Sequence, residues 1–340
     1  MINLLVTGGC GFIGSNFINH ITKTNKYKII NIDAMYYCAN EMNILQEVRN
    51  SSNYQFIKAN LTDKNFIDWI VRSNKITHVI HFAAQSHVQN SFEDSLQFTM
   101  DNILGTHTLL EVCRKYGQIE KFIHVSTDEV YGESMIDINE QKKTEHSILC
   151  PTNPYAATKA GAELLAQSYA HSFKMPIIIT RGNNVYGPNQ YPEKLIPKFI
   201  KQLKESKKVT IQGDGSSVRG FLHVDDTVRA FEAILNKGVI GEIYNIGCDD
   251  HMEHSVLEIA HILIGLIKPD EPVEHLPSGI SKALSDRLPS GISKALSDQW
   301  ISWIEDRPFN DSRYYISNSK LKELGWEPKI DLIDGLKKMI

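Results

Sequence analysis

The 340-residue sequence lacks the features that would place the protein in a membrane or on nucleic acid. No apolar run approaches the roughly 20 residues that a membrane-spanning helix requires. Acidic residues slightly outnumber basic ones, and the net charge of -4 supplies no basic field for phosphodiester backbones or anionic lipids. These shortages argue against nucleic-acid and membrane partners, and they favour a small-molecule ligand.

Cysteines are few and scattered, and they form no C-x-x-C pair. An odd number, five, argues against a disulfide framework and against a structural zinc site. His251 and His254 are closely spaced but have no third ligand nearby, so no metal site is expected. The N-terminus carries no basic stretch before its short apolar run, which argues against a secretion signal. The predicted compartment is therefore the cytoplasm.

What the sequence does contain is typical of an enzyme: 42% hydrophobic and 22% charged residues, in a chain longer than one compact core usually holds. In the first half, short runs rich in β-branched residues alternate with helix-compatible stretches, which predicts a doubly wound parallel α/β sheet of the Rossmann type. The predicted strands are 2–6, 27–32, 54–57, 78–82 and 122–125. The predicted helices include 11–22, 64–73 and 95–116.

The character of the chain changes after about residue 185, where prolines interrupt it and short helices alternate with isolated strands. We therefore expect an NAD-binding domain over residues 1–185 and a mainly substrate-binding mixed α/β lobe over residues 186–340. Within this lobe, residues 276–287 recur at 288–299 with one difference, since Arg287 becomes Gln299. Two copies of 12 residues are too few for a solenoid, so the repeat 276–299 is interpreted as a surface insertion.

A glycine-rich turn follows the first predicted strand and opens the first helix. Its spacing, Gly8, Gly11 and Gly14, suits a tight turn whose backbone approaches a pyrophosphate at the positive end of a helix. Asp33 ends the second strand, 19 residues after Gly14, and can accept hydrogen bonds from both hydroxyls of an adenosine ribose. The two residues after Asp33, alanine and methionine, offer no cation for a 2′-phosphate. The turn therefore predicts NAD in preference to NADP.

Tyr155 and Lys159 are four residues apart on a predicted helix whose start is marked by Asn153 and Pro154. This spacing places both side chains on one helical face. A lysine ammonium beside a phenol is expected to lower the pKa of the tyrosine, which would make it a usable base at neutral pH.

Thr127, Asp128 and Glu129 lie where the fifth predicted strand ends, at the carboxyl edge of the sheet where such folds bind ligands. A simple dehydrogenase needs one base for the hydroxyl proton. A second acid and base beside Tyr155 and Lys159 therefore predict chemistry beyond a single oxidation.

With these motifs the sequence resembles the nucleotide-sugar 4,6-dehydratases of the extended short-chain dehydrogenase/reductase superfamily. The resemblance runs nearly end to end and rests most specifically on Thr127-Asp128-Glu129. Asn40 and the stretches 182–184 and 307–311 look most like the UDP-glucose 4,6-dehydratase of the rhamnose pathway. The further matching stretches are the glycine turn, 82–88, 126–132, 151–155, 181–188, 193–197 and 306–311.

The resemblance implies a role for each catalytic residue. Tyr155, assisted by Lys159 and hydrogen-bonded with Thr127, takes the O4 proton while NAD accepts a hydride from C4. Glu129 then removes the C5 proton as Asp128 protonates the departing C6 hydroxyl. Hydride return to C6 gives a 4-keto-6-deoxy sugar nucleotide.

The resemblance also implies the binding residues and a homodimer formed through the helices at 90–116 and 154–173. Asn60 stands where relatives usually carry an aspartate near the adenine, and its side-chain carbonyl is expected to accept from the adenine amino group. The expected NAD contacts are Gly8, Gly11, Phe12, Ile13, Gly14, Asp33, Asn60, Leu61, Ala83, Ala84, Ser86, Tyr155 and Lys159. The expected substrate contacts are Ser86, Asn184, Lys194, Leu195, Arg219, Asn245, Arg307 and Asn310.

Three alternatives stay open at this point. A dTDP-glucose 4,6-dehydratase would use the same residues on another nucleotide. A UDP-sugar 4-epimerase would use Tyr155 and Lys159 but would leave Asp128 and Glu129 without a task. A non-catalytic NAD-binding regulatory protein would leave all of these residues unexplained.

Overall fold

A seven-stranded parallel sheet with helices on both faces organises the chain. It is seen in a computed structural model that describes residues 1–135, 140–268, 299–305 and 311–340. The strand order is β10-β6-β5-β4-β1-β2-β3, and each neighbouring pair is parallel. The predicted Rossmann-type class is confirmed. The sheet strands are β1 Ile2–Thr7, β2 Tyr27–Asp33, β3 Tyr54–Lys58, β4 His78–His81, β5 Lys121–Thr127, β6 Ile177–Gly182 and β10 Ile243–Ile246.

Two apolar layers cover the two faces of this sheet. One contains Phe17 and Ile18 of α1 and Phe231 and Ile234 of α9, packed on Leu4 and neighbouring sheet residues. The other is built from the amphipathic helices α3 and α6 together with part of α7. The α-helices are α1 Phe12–Ile21, α2 Gln46–Arg49, α3 Lys64–Ser73, α4 Val88–Glu93, α5 Ser95–Phe98, α6 Gly105–Tyr116, α7 Pro154–Phe173, α8 Leu195–Lys204, α9 Val224–Lys237, α10 Val256–Ile267, α11 Ser319–Glu323 and α12 Leu332–Lys337.

The second half of the chain has a smaller core of its own, where α8, α10 and α12 enclose Phe199, Phe221 and Leu263. Two small sheets belong to this half, in the orders β11-β9-β7 and β12-β8. Their strands are β7 Asn184–Tyr186, β8 Val209–Gln212, β9 Val218–His223, β11 Glu253–Ser255 and β12 Ile301–Ile304. Because β10 joins the large sheet from beyond residue 185, the two halves share that sheet. The division at residue 185 stays a prediction.

One sequence prediction differs from the structure in detail. The helix expected over 95–116 is divided by a π-helical turn at Thr99–Leu104, so that α5 and α6 are separate elements. The tandem repeat lies outside the described residues except for Gln299. Among the described residues, no helix is long and apolar enough to cross a bilayer. No group of three His, Cys, Asp or Glu side chains in the same described ranges could hold a metal ion.

A buried ion pair fixes α7 to the sheet. Arg181 of β6 donates to Glu163 of α7, with 2.5 Å between Nη2 and Oε1, and both side chains are almost fully buried. Arg181 Nη1 also donates to the Tyr131 hydroxyl at 2.6 Å, and its guanidinium lies 4.6 Å from the Tyr131 ring centroid. A buried pair is costly to break, because the remaining charge then has no counter-ion.

We predict that Arg181→Met lowers the free energy of unfolding by about 3–5 kcal/mol, because it leaves the Glu163 carboxylate buried without its counter-ion. The double variant Arg181→Met/Glu163→Leu should recover much of this loss. Lys207→Met is the control, since it removes an exposed pair with Glu205 and should leave the free energy of unfolding almost unchanged. Urea unfolding of the three proteins measures these differences. Equal losses in the single and double variants would show that the ion pair is not the cause.

Candidate active site

A cavity of about 340 Å³ opens where the parallel strands of the large sheet end, which is within the usual range for small-molecule sites. All five residues predicted to be catalytic line it: Thr127, Asp128, Glu129, Tyr155 and Lys159. Every predicted NAD contact lines the same cavity. The sheet thus brings together side chains that are more than 150 residues apart in the chain.

The glycine turn lines this cavity and leads directly into α1. Gly8 has a φ of +70°, and a Cβ atom there would lie 2.7 Å from the Ala83 backbone. At Gly14 a Cβ atom would lie 2.4 Å from the Gly8 carbonyl oxygen. Helix α1 has no side-chain cap at Gly11, so its first N–H groups can serve an anion such as a pyrophosphate. The turn therefore fits the phosphates of a dinucleotide.

Asp33 closes β2 beside the turn, and backbone groups hold its carboxylate. The Cys10 N–H donates to Oδ2 at 3.0 Å and the Met35 N–H donates to Oδ1 at 2.8 Å. Burial raises the pKa of Asp33, and these two backbone hydrogen bonds oppose that shift. Each oxygen keeps a second lone pair, so the carboxylate can still accept from two ribose hydroxyls.

Asn60 differs in detail from the sequence prediction. Its Oδ1 accepts from both the backbone N–H and the hydroxyl of Thr62, at 2.9 and 2.8 Å, which occupies both lone pairs. Its Nδ2 donates to the Tyr36 hydroxyl, which in turn donates to Asp101. Asn60 lines the cavity, but its carbonyl already has two internal donors. An adenine amino group would have to displace one of them.

Tyr155 and Lys159 also line the cavity, one turn apart on α7 and both buried. Lys159 Nζ donates to the Val125 carbonyl oxygen at 2.6 Å, and burial lowers the pKa of Lys159 to about 8. Burial, followed by the charge of Glu129, raises the pKa of Tyr155. The prediction that Lys159 lowers the pKa of Tyr155 below its usual value is therefore wrong. Hydrogen bonding by Thr127 lowers the pKa of Tyr155 but does not overcome the desolvation.

The two adjacent carboxyl groups each have an amide partner. Asn183 Nδ2 donates to Asp128 Oδ2 at 2.6 Å, and Asn153 Nδ2 donates to Glu129 Oε2 at 3.0 Å. Burial, with the charge of Glu129 as the second cause, raises the pKa of Asp128 to about 7. Burial also raises the pKa of Glu129. Near neutral pH the site therefore has an acid that can hold its proton, next to a second carboxyl group.

Three predicted substrate contacts also line the cavity: Ser86, Asn184 and Lys194. Lys194 Nζ donates to the Ser86 carbonyl oxygen at 2.8 Å, which links two segments of the lining. Arg307 and Asn310 lie outside the described residues. Leu195 is absent from the described lining, because its side chain packs on the core of the second half.

Arg219 and Asn245 are not among the described residues that line the cavity, and their contact with the substrate stays a prediction. Arg219 donates to the backbone carbonyls of residues 218, 311 and 312 and lies over the Tyr314 ring, although its charge still acts on Glu129. Asn245 is fully buried. Its Oδ1 accepts from the Tyr131 hydroxyl at 2.8 Å, because β10 pairs Asn245 with Arg181 and so places it in the ion-pair network.

The sequence prediction missed three site residues. The sequence predicts Asn153 only as a helix start, yet its Oδ1 accepts from the Ala156 N–H while its amide donates to Glu129. The sequence prediction names Asn184 as a substrate contact but not its neighbour Asn183, whose amide donates to Asp128. Tyr314 donates to Asp311 and lies 3.4 Å from Glu129 Oε2. Because neighbouring side chains in extended backbone point in opposite directions, the sequence could have indicated that Asn183 and Asn184 face different surroundings. No local sequence pattern marks Tyr314 as a site residue.

The comparisons with known proteins match nearly the whole chain. The sequence profile of the GDP-mannose 4,6 dehydratase family matches residues 5–339. A dTDP-D-glucose 4,6-dehydratase of Dictyostelium discoideum is 47% identical, over 98% of this chain and 80% of that protein. A trifunctional UDP-glucose 4,6-dehydratase/UDP-4-keto-6-deoxy-D-glucose 3,5-epimerase/UDP-4-keto-L-rhamnose-reductase of Arabidopsis thaliana is 43% identical, over 99% of this chain but only 46% of that protein. A crystal structure of dTDP-glucose 4,6-dehydratase from Bacillus anthracis in complex with NAD has a TM-score of 0.83 at 35% identity, over 99% of this chain and 95% of that one.

We predict that Asp33→Ala weakens NAD binding roughly 10- to 150-fold, the equivalent of one charge-assisted hydrogen bond of about 1.5–3 kcal/mol. The dissociation constant of the cofactor, measured by calorimetry on stripped protein, tests this. Asp68→Ala is the control, since Asp68 pairs with Arg72 on the exposed face of α3. Turnover lost with unchanged cofactor affinity would mean that Asp33 has been assigned wrongly.

Proposed function

The chain belongs to the nucleotide-sugar 4,6-dehydratases of the extended short-chain dehydrogenase/reductase superfamily, and we propose that its substrate is glucose carried on uridine or thymidine diphosphate. It is an NAD-dependent enzyme of this type. The observation that carries the proposal is a pair of adjacent carboxyl groups, the buried Asp128 and the partly buried Glu129, in one cavity with Tyr155 and Lys159. An epimerase or a silent binding protein has no use for that pair.

The residues of the cavity fit NAD. The glycine turn would hold the pyrophosphate, Asp33 the adenosine ribose, and Lys159 the nicotinamide end. When bound, NAD supplies a hydride acceptor for C4, a hydride donor for C6 and a positive ring that favours a nearby phenolate. All other steps belong to side chains of this chain.

Each step then has a residue suited to it. Tyr155 takes the O4 proton when C4 is oxidised, and the resulting ketone acidifies the C5 hydrogen. Glu129 removes that proton, and Asp128, whose pKa is raised to about 7, gives its own proton to the C6 hydroxyl, which leaves as water. Asn153 and Asn183 keep the two carboxyl groups apart, each on its own amide.

The second part of the proposal concerns which nucleotide, uridine or thymidine diphosphate, carries the glucose. UDP-glucose is supported by the motif resemblance and by the 43% identity to the plant UDP-glucose dehydratase. dTDP-glucose is the second candidate, supported by the 47% identical Dictyostelium protein and by the Bacillus anthracis structure. The two nucleotides differ at the 5-methyl group of the base and the 2′-hydroxyl of the ribose. A binding pocket that recognises the methyl group or the 2′-hydroxyl would therefore distinguish UDP-glucose from dTDP-glucose.

We also propose a homodimer formed through the helices around residues 90–116 and 154–173. Leu96, Met100 and Leu104 recur every four residues and are 77, 47 and 40% exposed, and Leu164 of α7 is 55% exposed. Such an apolar stripe is costly to leave in water.

We predict that sedimentation equilibrium gives a molecular mass of twice 38.5 kDa. The double variant Leu96→Glu/Leu164→Glu should reduce this mass to that of a single chain.

We predict that the purified protein converts UDP-glucose or dTDP-glucose to a product lighter by one water, without net consumption of NAD. Mass spectrometry of the products, with kcat/KM for both sugars and for dUDP-glucose, tests function and nucleotide together. dUDP-glucose lacks both the methyl group and the 2′-hydroxyl, so it shows which group is recognised. An unchanged mass with galactose appearing would favour the epimerase, and absence of turnover on every sugar would favour the binding protein.

We predict that Glu129→Gln allows oxidation but slows elimination by roughly 10²–10⁴-fold, because the amide keeps the size of the side chain and cannot accept the C5 proton. Nicotinamide absorbance at the reduced-cofactor band should rise and persist after mixing with substrate. Tyr155→Phe is the matched control and should give neither the rise nor the product. A wild-type rate in Glu129→Gln would show that another group is the base.

A further inference from the structure

Asn183 links β6 of the large sheet to β7 of a small one, and its side chain reaches Asp128. Its Nδ2 donates to Asp128 Oδ2 at 2.6 Å. The end of β10 holds the rest of the residue. The Asn183 N–H donates to the Ile246 carbonyl oxygen at 3.0 Å, and the Cys248 N–H donates to Asn183 Oδ1, also at 3.0 Å. Asn183 and Asp128 are both buried, so three hydrogen bonds fix the asparagine away from water.

The backbone around Asn183 decides which way its amide faces. A backbone N–H can only donate, so the amide oxygen must face Cys248 and the NH2 group must face Asp128. Two glycines leave room for this oxygen, because a Cβ atom at Gly220 or at Gly247 would lie 3.1 Å from Asn183 Oδ1. At Gly220 the added atom would also collide with the Cys248 Sγ. The orientation of the amide is therefore built into the fold.

The oriented amide distinguishes the two oxygens of Asp128. An NH2 group can only donate, and the carbonyl oxygen of a carboxylic acid accepts more strongly than its hydroxyl oxygen. When Asp128 is protonated, Oδ2 is therefore the carbonyl oxygen that accepts from Asn183, and the proton lies on Oδ1. Oδ1 is the oxygen that lies 3.2 Å from Thr127 Oγ1.

Resting on the proposed function, we propose that Asn183 is a positioning residue that keeps the proton of Asp128 on Oδ1 and so selects the oxygen that protonates the departing C6 hydroxyl. In the elimination, Glu129 takes the C5 proton and the C5–H electron pair forms the C5–C6 double bond. The C6–O bond breaks as the Oδ1 proton bonds to the leaving oxygen. Asp128 becomes a carboxylate whose Oδ2 still accepts from Asn183, so the amide does not have to turn during the transfer.

The test changes the NH2 group in two opposite ways in the NAD-loaded enzyme. Asn183→Asp keeps the shape of the side chain and an acceptor for the Cys248 N–H, but it puts an oxygen where the donor was. The new carboxyl group and Asp128 Oδ2 then share a proton, which leaves Oδ1 unprotonated near neutral pH. Asn183→Leu removes the donor without adding an acid. Because the hydrogen bond from Asn183 lowers the pKa of Asp128, this second variant should raise that pKa.

The rate of water loss in a single turnover, followed by rapid quench and mass spectrometry, should fall with rising pH as Asp128 loses its proton. This alkaline limb should move to lower pH in Asn183→Asp and to higher pH in Asn183→Leu. At neutral pH, Asn183→Asp should slow water loss by roughly tenfold or more. Asn236→Asp is the matched control and should behave as the wild-type enzyme, because Asn236 is exposed and its Oδ1 accepts from Tyr27, which an aspartate can also do.

A 6-deoxy-6-fluoro analogue of the sugar nucleotide separates proton placement from damage to the site, because fluoride leaves without needing a proton. Asn183→Asp should therefore eliminate fluoride at nearly the wild-type rate. Equal slowing with the hydroxyl sugar and the fluoro analogue would overturn the proposal. Alkaline limbs that move in the same direction in both variants would overturn it as well.

Infrared titration of the substrate-free protein gives a readout that needs no turnover. The band of protonated Asp128, identified by its loss in Asp128→Asn, should persist to higher pH in Asn183→Leu than in the wild-type protein. An unchanged titration of Asp128 in Asn183→Leu would overturn the role of Asn183. Failure of the wild-type enzyme to lose water from either sugar would instead remove the proposed function, so the two results are distinguishable.

Discussion

The site depends on two carboxyl groups that are adjacent in the chain and withdrawn from bulk water, Asp128 buried and Glu129 partly buried. Removing Asp128 and Glu129 from water penalises their charged forms, and the charge of Glu129 raises the pKa of Asp128 further. Two ionised groups so close together would be strongly unfavourable, whereas one neutral and one ionised group can be accommodated. The side-chain amides of Asn183 and Asn153 each serve one of the pair. The acid and the base of the proposed elimination therefore follow from the same desolvation.

Helix α7 connects the two carboxyl groups to the rest of the fold. Asn153 caps the helix with its carbonyl oxygen and holds Glu129 with its amide, so the helix start and the position of the carboxylate are set by one side chain. Tyr155 and Lys159 follow within two turns, and Glu163 fixes the next turn to Arg181 of β6. A shift of α7 along the sheet would therefore disturb the base, the carboxylate and the ion pair together.

Local patterns were enough to predict the parallel sheet, the glycine turn, the helix start at Pro154 and the place of Thr127, Asp128 and Glu129 at the end of the fifth strand. Each depends on neighbours within a few positions, such as a fixed spacing or a proline at the first helical position. The side chains whose environment depends on distant strands were not predictable in this way. Asn245 meets Tyr131 across 114 residues, and Arg219 reaches the backbone around residue 312. The direction of the Tyr155 pKa was wrong because residue spacing reports the nearby lysine but not the burial of the phenol.

The change from strand to turn after Thr127 explains how consecutive residues share one cavity. In a continued strand, Asp128 would face away from Thr127 and Glu129, because side chains alternate between the two faces. Here β5 ends at Thr127 and a 3-10 turn, Asp128–Tyr131, begins, with the Thr127 hydroxyl capping it at the Glu129 N–H. The turn directs Asp128 to the end of β6 and Glu129 to the start of α7, while both still line the cavity. A chain with the same turn but without the two carboxyl groups would keep the tyrosine and the lysine for oxidation and would have no means to expel water. The elimination is therefore a property of two side chains on a backbone that also serves oxidation.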